Sequence, residues 1–135
     1  MRTLSTQELE SIGREHNLKL IALFGSQATG HVHSHSDVDV AVLPSRRLSW
    51  DERNELWAKL CGLFQAEVDL SVLDHAQPLL MYQVAEHGQV LYESEPWAWA
   101  NFKLYARRLY WDTAPLRDSL SRYVNRRVEE MRRAG

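Results

Sequence analysis

The chain has 135 residues, of which 44% are hydrophobic and 25% are charged, and its formal net charge is −2. This length allows one domain with a substantial core, and the composition excludes the disordered and fibrous classes. The single cysteine, Cys61, excludes an internal disulfide framework, and no apolar run approaches the roughly 18 residues that a membrane span needs. We therefore expect a cytoplasmic protein without a membrane contact.

The charge is distributed unevenly along the chain. Residues 1–96 carry 7 basic and 14 acidic side chains, a balance of −7, whereas residues 97–135 carry 9 and 4, a balance of +5. Such polarity between two parts of a chain is typical of an interaction surface.

The first predicted elements are a helix and a buried strand. Ser5 and Glu8 form a capping-box pattern, in which the serine accepts from the backbone, and the helix that follows is predicted to end near His16. An apolar run over residues 18–24 then predicts a strand that stops abruptly at Gly25. After a loop, residues 40–43 form a second strand-like apolar run.

The next part of the chain continues this alternation of helices and strands. Ser49 and Glu52 form a second capping box, and Gly88 is predicted to end a later helix in the left-handed conformation. The predicted elements here are a helix at 50–64, a strand at 68–73, a helix that Asp74 caps, with Pro78 in its first turn and an end near 87, and a short edge strand at 89–92.

From Pro96 onward the chain is predicted to be helical, with a break at 112–115. Aromatic residues alternate with arginines in this segment, a composition that protein interfaces enrich. We therefore rank a partner-protein surface first, core packing second and nucleic-acid binding third. The residues in question are Trp97, Trp99, Tyr105, Tyr110, Trp111, Tyr123, Arg107, Arg108, Arg117, Arg122, Arg126 and Arg127.

The loop between the first two strands carries the clearest chemical motif. Gly25 and Ser26 are followed by ten residues and then by Asp37-Val38-Asp39. Side chains two apart in a strand share one face, so Asp37 and Asp39 are predicted to project side by side. Two carboxylates this close repel each other unless a cation neutralises them, and Mg²⁺ with substrate phosphates fits that role. Glycine and a helix start at Gly25 and Ser26 would favour a phosphate.

This spacing resembles the signature of the polymerase-β-like nucleotidyltransferases. The small size of the chain is similar to the minimal nucleotidyltransferases (MNT) that are paired with HEPN toxins in toxin–antitoxin modules. Asp69 stands in a strand-like run, where that family carries its third acidic residue. The resemblance implies an α/β (α+β) fold with a small mixed sheet of about four strands flanked by helices. Residues 1–95 would form the nucleotidyltransferase core and 96–135 a C-terminal helical extension packed on it, in one domain.

The resemblance also implies an activity and the residues that perform it. The expected reaction is Mg²⁺-dependent transfer of AMP from ATP to a hydroxyl, expected to be a tyrosine, of a cognate HEPN ribonuclease toxin. Asp37, Asp39 and Asp69 would be the catalytic residues and the ligands of two Mg²⁺ ions. The residues implied to bind the nucleotide are Gly25, Ser26, Thr29 and Ser36.

Two other functions stay open from the sequence. Many relatives carry an arginine between the serine and the second glycine of this loop, whereas residues 27–30 here contain no cation. A non-catalytic antitoxin that acts by occlusion therefore remains an alternative, as does a small-molecule nucleotidyltransferase that works as an oligomer. Direct nucleic-acid binding is not expected. His31, His33 and His35 alternate in the loop, and we interpret them as a polar loop rather than a zinc site, because no cysteine lies nearby.

Overall fold

The computed structural model describes residues 5–25, 38–74 and 78–134. Three helices and four strands are described in the first two thirds of the chain, and two helices follow. The elements are α1 (Thr6–Glu15), β1 (Leu18–Phe24), β2 (Val38–Pro44), α2 (Trp50–Phe64), β3 (Val68–Val72), α3 (Pro78–His87), β4 (Gln89–Glu93), α4 (Ala98–Asp112) and α5 (Ala114–Ala134).

The strands form one mixed sheet in the order β3-β2-β1-β4. Strand β1 pairs antiparallel with both β2 and β4, whereas β2 pairs parallel with β3. Strand β4 lies at an edge, as the sequence predicted. The α/β class and the small mixed sheet of four strands are confirmed for the described residues.

Helices cover both faces of this sheet. Side chains alternate along a strand, so Val38, Val40 and Val42 of β2 pack with α1 and α2 on one face. Ala41 points the other way and packs with α3 and α4, in the cluster that contains Val84 and Phe102. The position of a β2 residue along the strand therefore decides which helical layer its side chain faces.

Both predicted capping boxes begin helices. The hydroxyl of Ser5 accepts from the Glu8 backbone N–H at 3.3 Å, and that of Ser49 accepts from the Glu52 N–H at 3.1 Å. The prediction that Gly88 is left-handed is wrong, because its φ lies outside that region. Glycine is needed there for space instead, since a Cβ at Gly88 would lie 2.4 Å from the Val84 carbonyl oxygen.

Strand β3 forms the second edge of the sheet, and α2 covers part of it. The Trp57 indole N–H donates to the Val68 carbonyl at 2.8 Å, and Arg53 donates to the Leu70 carbonyl at 3.4 Å. These side chains occupy backbone acceptors that an edge strand would otherwise offer to another strand. The sheet is therefore protected against extension at β3.

The two C-terminal helices differ in burial. Phe102 and Ala106 of α4 are buried against the sheet and α3, whereas α5 has no buried residue. Trp97 precedes α4 with a φ of 77° and makes no side-chain cap bond. Among the described helices, none combines the length and apolar character of a membrane-crossing segment.

Candidate active site

Asp39 is the second residue of β2 and is half-buried. It shares its side-chain orientation with Ala41, so its carboxylate lies on the α3/α4 side of the sheet. Its neighbours across the strand pairs are Phe24 of β1 and Asp69 of β3. The residue therefore stands near the start of a central strand, between the end of β1 and the start of β3.

Asp69 is directly opposite Asp39 in the parallel β2–β3 pair. Residues in register on neighbouring strands point to the same face, and their backbones lie about 4.8 Å apart. Asp69 is exposed, whereas its neighbours Val68 and Leu70 are buried on the opposite face. The structure thus brings two carboxylates side by side on one face of the sheet.

Gly25 ends β1 immediately beside this pair. Its φ of 76° lies in the left-handed region, which glycine adopts without the steric cost of a Cβ. A Cβ at this position would lie 2.3 Å from Oδ2 of Asp39. Two features therefore require glycine at this position: the left-handed turn and the close approach of the Asp39 carboxylate.

The other predicted site residues lie outside the described residues. They are Ser26, Thr29, Ser36 and Asp37, together with His31, His33 and His35. Of the predicted set, the structure brings together Gly25, Asp39 and Asp69.

Sequence reasoning did not assign Ser71 to this site. It follows Asp69 by two residues, lies opposite Ala41 and is half-buried on the same face. The signal was present in the alternation of β3, in which Asp69 and Ser71 are the two polar positions between apolar ones.

The residues at this site fit a hard divalent cation. Mg²⁺ is bound by oxygen ligands, usually one or two carboxylates together with substrate phosphates. Asp39 and Asp69 supply two carboxylates on adjacent strands, and the exposure of Asp69 leaves the site open to a substrate. With such a cation held by these carboxylates, the site would neutralise the charge of a bound triphosphate and orient it on the sheet.

A second group of potential ligands lies where α1 ends against α2. Ligand atoms of Glu15, His16 and Glu55 lie within 4.8 Å of one another. The Lys59 ammonium occupies this group, at 2.6 Å from Glu15, 3.2 Å from Glu55 and 3.2 Å from Nε2 of His16. Burial, and then the charge of Lys59, lower the pKa of His16. The cluster is a network that joins two helices and is not a metal site.

Comparison with known proteins places this geometry in a family. The family model described as Polymerase beta, Nucleotidyltransferase matches residues 7–96, which contain Gly25, Asp39 and Asp69. The chain is similar to the protein adenylyltransferase MntA of Shewanella oneidensis, with 35% identity over 97 residues, 70% of each chain. It is also similar to the protein adenylyltransferase MntA of Aphanizomenon flos-aquae, with 34% identity over 86 residues, 56% of this chain and 57% of that protein.

Solved structures of toxin–antitoxin proteins are similar to this chain as well. A crystal structure of a toxin–antitoxin with AMP-PNP has a TM-score of 0.77 and 30% identity, covering 90% of this chain and 98% of that one. The complex of the tri-AMPylated Shewanella oneidensis HEPN toxin with its MNT antitoxin has a TM-score of 0.70 and 27% identity, covering 88% and 94%. The chain belongs to the polymerase beta nucleotidyltransferase family.

Proposed function

We propose that this protein is an antitoxin that transfers AMP from ATP to a tyrosine hydroxyl of a cognate HEPN-type toxin and so neutralises it. The observation that carries the proposal is the pairing of Asp39 with Asp69 on one face of the sheet, with Gly25 against the Asp39 carboxylate. The similarity to two MntA adenylyltransferases and to a complex of an AMPylated toxin supports the choice of reaction and partner.

In this proposal the acidic residues act on the triphosphate through a divalent cation. Asp37 and Asp39 would hold Mg²⁺ against its phosphates, and Asp69 would either complete a second metal position or take the proton of the attacking hydroxyl. When bound, Mg²⁺ would neutralise the charge of the phosphates and of the departing pyrophosphate. Catalysis of this type rests mainly on positioning and charge neutralisation.

The loop after β1 would bind the nucleotide. Gly25 brings the backbone close to the phosphates, and hydroxyl groups of Ser26, Thr29 and Ser36 are the proposed donors. A toxin–antitoxin relative was solved with AMP-PNP, which supports ATP as the substrate. A cytoplasmic location agrees with the use of ATP and with the free thiol of Cys61.

A second function, neutralisation by occlusion, is favoured by one observation. Helix α5 has no buried residue and presents large exposed apolar side chains, so the chain has a surface that can bind a partner without catalysing a reaction. The two functions differ in whether the partner leaves the reaction carrying AMP.

The test is incubation with ATP labelled at the α-phosphate, Mg²⁺ and the HEPN-type protein encoded by the neighbouring open reading frame. The proposal predicts label on that protein, and a loss of about 100-fold or more in the transfer rate for Asp39→Asn and Asp69→Asn, since each removes a carboxylate from the site. Asp51→Asn is the matched control, because Asp51 is exposed on α2, which packs on the opposite face of the sheet. A tight complex that acquires no label would contradict transfer and support occlusion.

A further inference from the structure

Helix α5 carries an apolar surface that the described part of the chain leaves uncovered. It has 21 residues, spans about 32 Å at 1.5 Å per residue, and contains no buried residue. Leu116 is 70% exposed, Leu120 60% and Met131 63%. The side chains of this surface, which we call the α5 stripe, recur at helical spacing and are Leu116, Leu120, Tyr123, Val124, Val128 and Met131.

Ion pairs between polar side chains of α5 stabilise the helix without help from the sheet. Arg122 pairs with Asp118 at 3.0 Å, and Arg133 pairs with Glu129 at 3.5 Å. In both pairs the acid precedes the base by four residues, which is the favourable order in a helix. These pairs lie on the side away from the α5 stripe, so the helix can persist while the stripe faces outward.

The junction between α4 and α5 sets the direction of α5. The Thr113 hydroxyl donates to the Leu109 carbonyl at 2.8 Å, and Arg117 donates to the Thr113 hydroxyl at 2.6 Å. The Arg117 guanidinium lies 3.7 Å from the centre of the Tyr110 ring, which in turn stacks on Tyr82 of α3 at 3.9 Å. This stack links α5 to the helices of the core and holds it in a defined orientation.

The charge of α5 indicates what kind of surface it fits. The helix has six arginines and three carboxylates, whereas residues 1–96 have a balance of −7. Arg127 lies within the span of the α5 stripe, between Tyr123 and Met131, and pairs with Glu130 at 3.6 Å in an exposed position. Exposed pairs of this kind contribute little, so a carboxylate of a partner can replace Glu130 at small cost. The complementary surface is an apolar groove with acidic residues at its margin.

Two other occupants fit this surface less well. Two copies of α5 packed against each other would bring their arginines together, and like charges across an interface are unfavourable. Nucleic acid would engage arginines and exposed rings, but it would leave the aliphatic residues of the α5 stripe without apolar contacts. A protein partner is the occupant that uses both the apolar and the basic groups.

We propose that the α5 stripe is the docking face for the HEPN-type toxin, which would receive it in an apolar groove bordered by carboxylates. This inference rests on the proposed function for the identity of the partner. Solved relatives contain a HEPN toxin in complex with an MNT antitoxin, which supports a toxin as occupant. The α4–α5 junction would then fix the toxin relative to the carboxylates on the sheet.

The test compares two double variants that add the same charge to the same helix. Leu120→Asp with Val124→Asp alters the α5 stripe, and Ser121→Asp with Asn125→Asp is the control, each pair being exposed and one turn apart. Binding to the HEPN-type protein of the neighbouring open reading frame is measured by titration calorimetry, and helix content by circular dichroism. The stripe variant should bind at least about 100-fold more weakly, and the control within about threefold of the unaltered chain.

Three results would overturn the inference. They are equal binding by the two variants, an effect confined to self-association of the free chain, and an effect confined to binding of a single-stranded RNA oligonucleotide. The Asp39→Asn variant separates this inference from the proposed function, because it should bind the toxin normally while its rate of AMP transfer falls by about 100-fold or more. If the stripe variant bound the toxin with unchanged affinity and still labelled it, the proposed docking face would be wrong and the transfer reaction would stand.

Discussion

At the scale of single residues, the site depends on a contact between a backbone and a carboxylate. The Asp39 carboxylate fills the space that a Cβ at Gly25 would need. Its Oδ2 lies 2.3 Å from the position of such a Cβ. The φ of Gly25, 76°, adds a second constraint. The position therefore affects both the stability of the turn and the placement of the carboxylate.

We predict that Gly25→Ala destabilises the protein by about 1–2 kcal/mol, the cost of a left-handed non-glycine residue, and lowers the rate of AMP transfer. Gly62→Ala is the control, because Gly62 lies within α2 and a Cβ there meets no atom within 4 Å. It should raise stability by about 0.5–1 kcal/mol, since alanine favours a helix interior. Urea unfolding measures both, and equal midpoints for the two variants would refute the close-approach argument.

Single residues also show which features of the site could be predicted from the sequence. Asp69 was assigned to the site through the family resemblance, whereas its register opposite Asp39 depends on the parallel pairing of β2 with β3, which the sequence did not predict. The role of Gly88 was not accessible, because close approach to the Val84 carbonyl depends on the path of the following strand. A helix followed by glycine is more often ended by a left-handed residue, and that pattern misled the prediction.

At the scale of elements, α1 and α2 are joined through Lys59. Its ammonium contacts Glu15, Glu55 and the buried His16. Burial and the charge of Lys59 lower the pKa of His16 from its ordinary value of 6.5, while the charges of Glu15, Glu55 and Glu52 act in the opposite direction. A neutral imidazole can accept from Lys59, whereas an imidazolium would repel it.

This network predicts a pH dependence of stability with a definite sign. The unfolded chain protonates His16 near pH 6.5 and the folded chain only at lower pH, so the unfolded state binds more protons in that interval. The stabilisation is present above pH 6.5 and declines as the pH falls toward the folded pKa. Urea midpoints between pH 7 and pH 5 should therefore fall for the unaltered chain and fall less for His16→Gln. Parallel slopes would contradict the role of His16.

Sequence patterns predicted most element bounds, and they did not predict these contacts. The capping boxes at Ser5 and Ser49 identified two helix starts, because that signal is local. The Lys59 network joins residues far apart in the chain, and the hydrogen bond from Trp57 to Val68 joins a helix to the strand that follows it. A local sequence pattern does not predict which helix packs on which part of a sheet.

At the scale of the whole molecule, the chain combines a layered core with an exposed basic helix. The division into a core at 1–95 and an extension at 96–135 stays a prediction, and burial changes within that extension. Phe102 of α4 is buried in the core, whereas α5 presents its apolar residues outward. Sequence composition predicted an interaction surface in this segment, and the coordinates add which of its two helices packs on the core and which has no buried residue.

This division predicts the effect of removing α5. A chain that ends after Thr113 should retain its free energy of unfolding within about 1 kcal/mol, because α5 contributes no buried residue and loss of surface groups has small effects. The same chain should no longer form a complex with the toxin. Chemical denaturation and size-exclusion chromatography with the toxin provide the two readouts, and a truncated chain that fails to fold would show that α5 supports the core.

The central claim is that Asp39 and Asp69 act together on a metal-bound triphosphate. Titration calorimetry with AMP-PNP, in Mg²⁺ and then in EDTA, tests it most directly on the unaltered chain and on the variant that combines Asp39→Asn with Asp69→Asn. The account predicts binding that requires Mg²⁺ and that the double variant weakens by about 100-fold or more. Equal affinity in EDTA, or unchanged Mg²⁺-dependent affinity in the double variant, would contradict it.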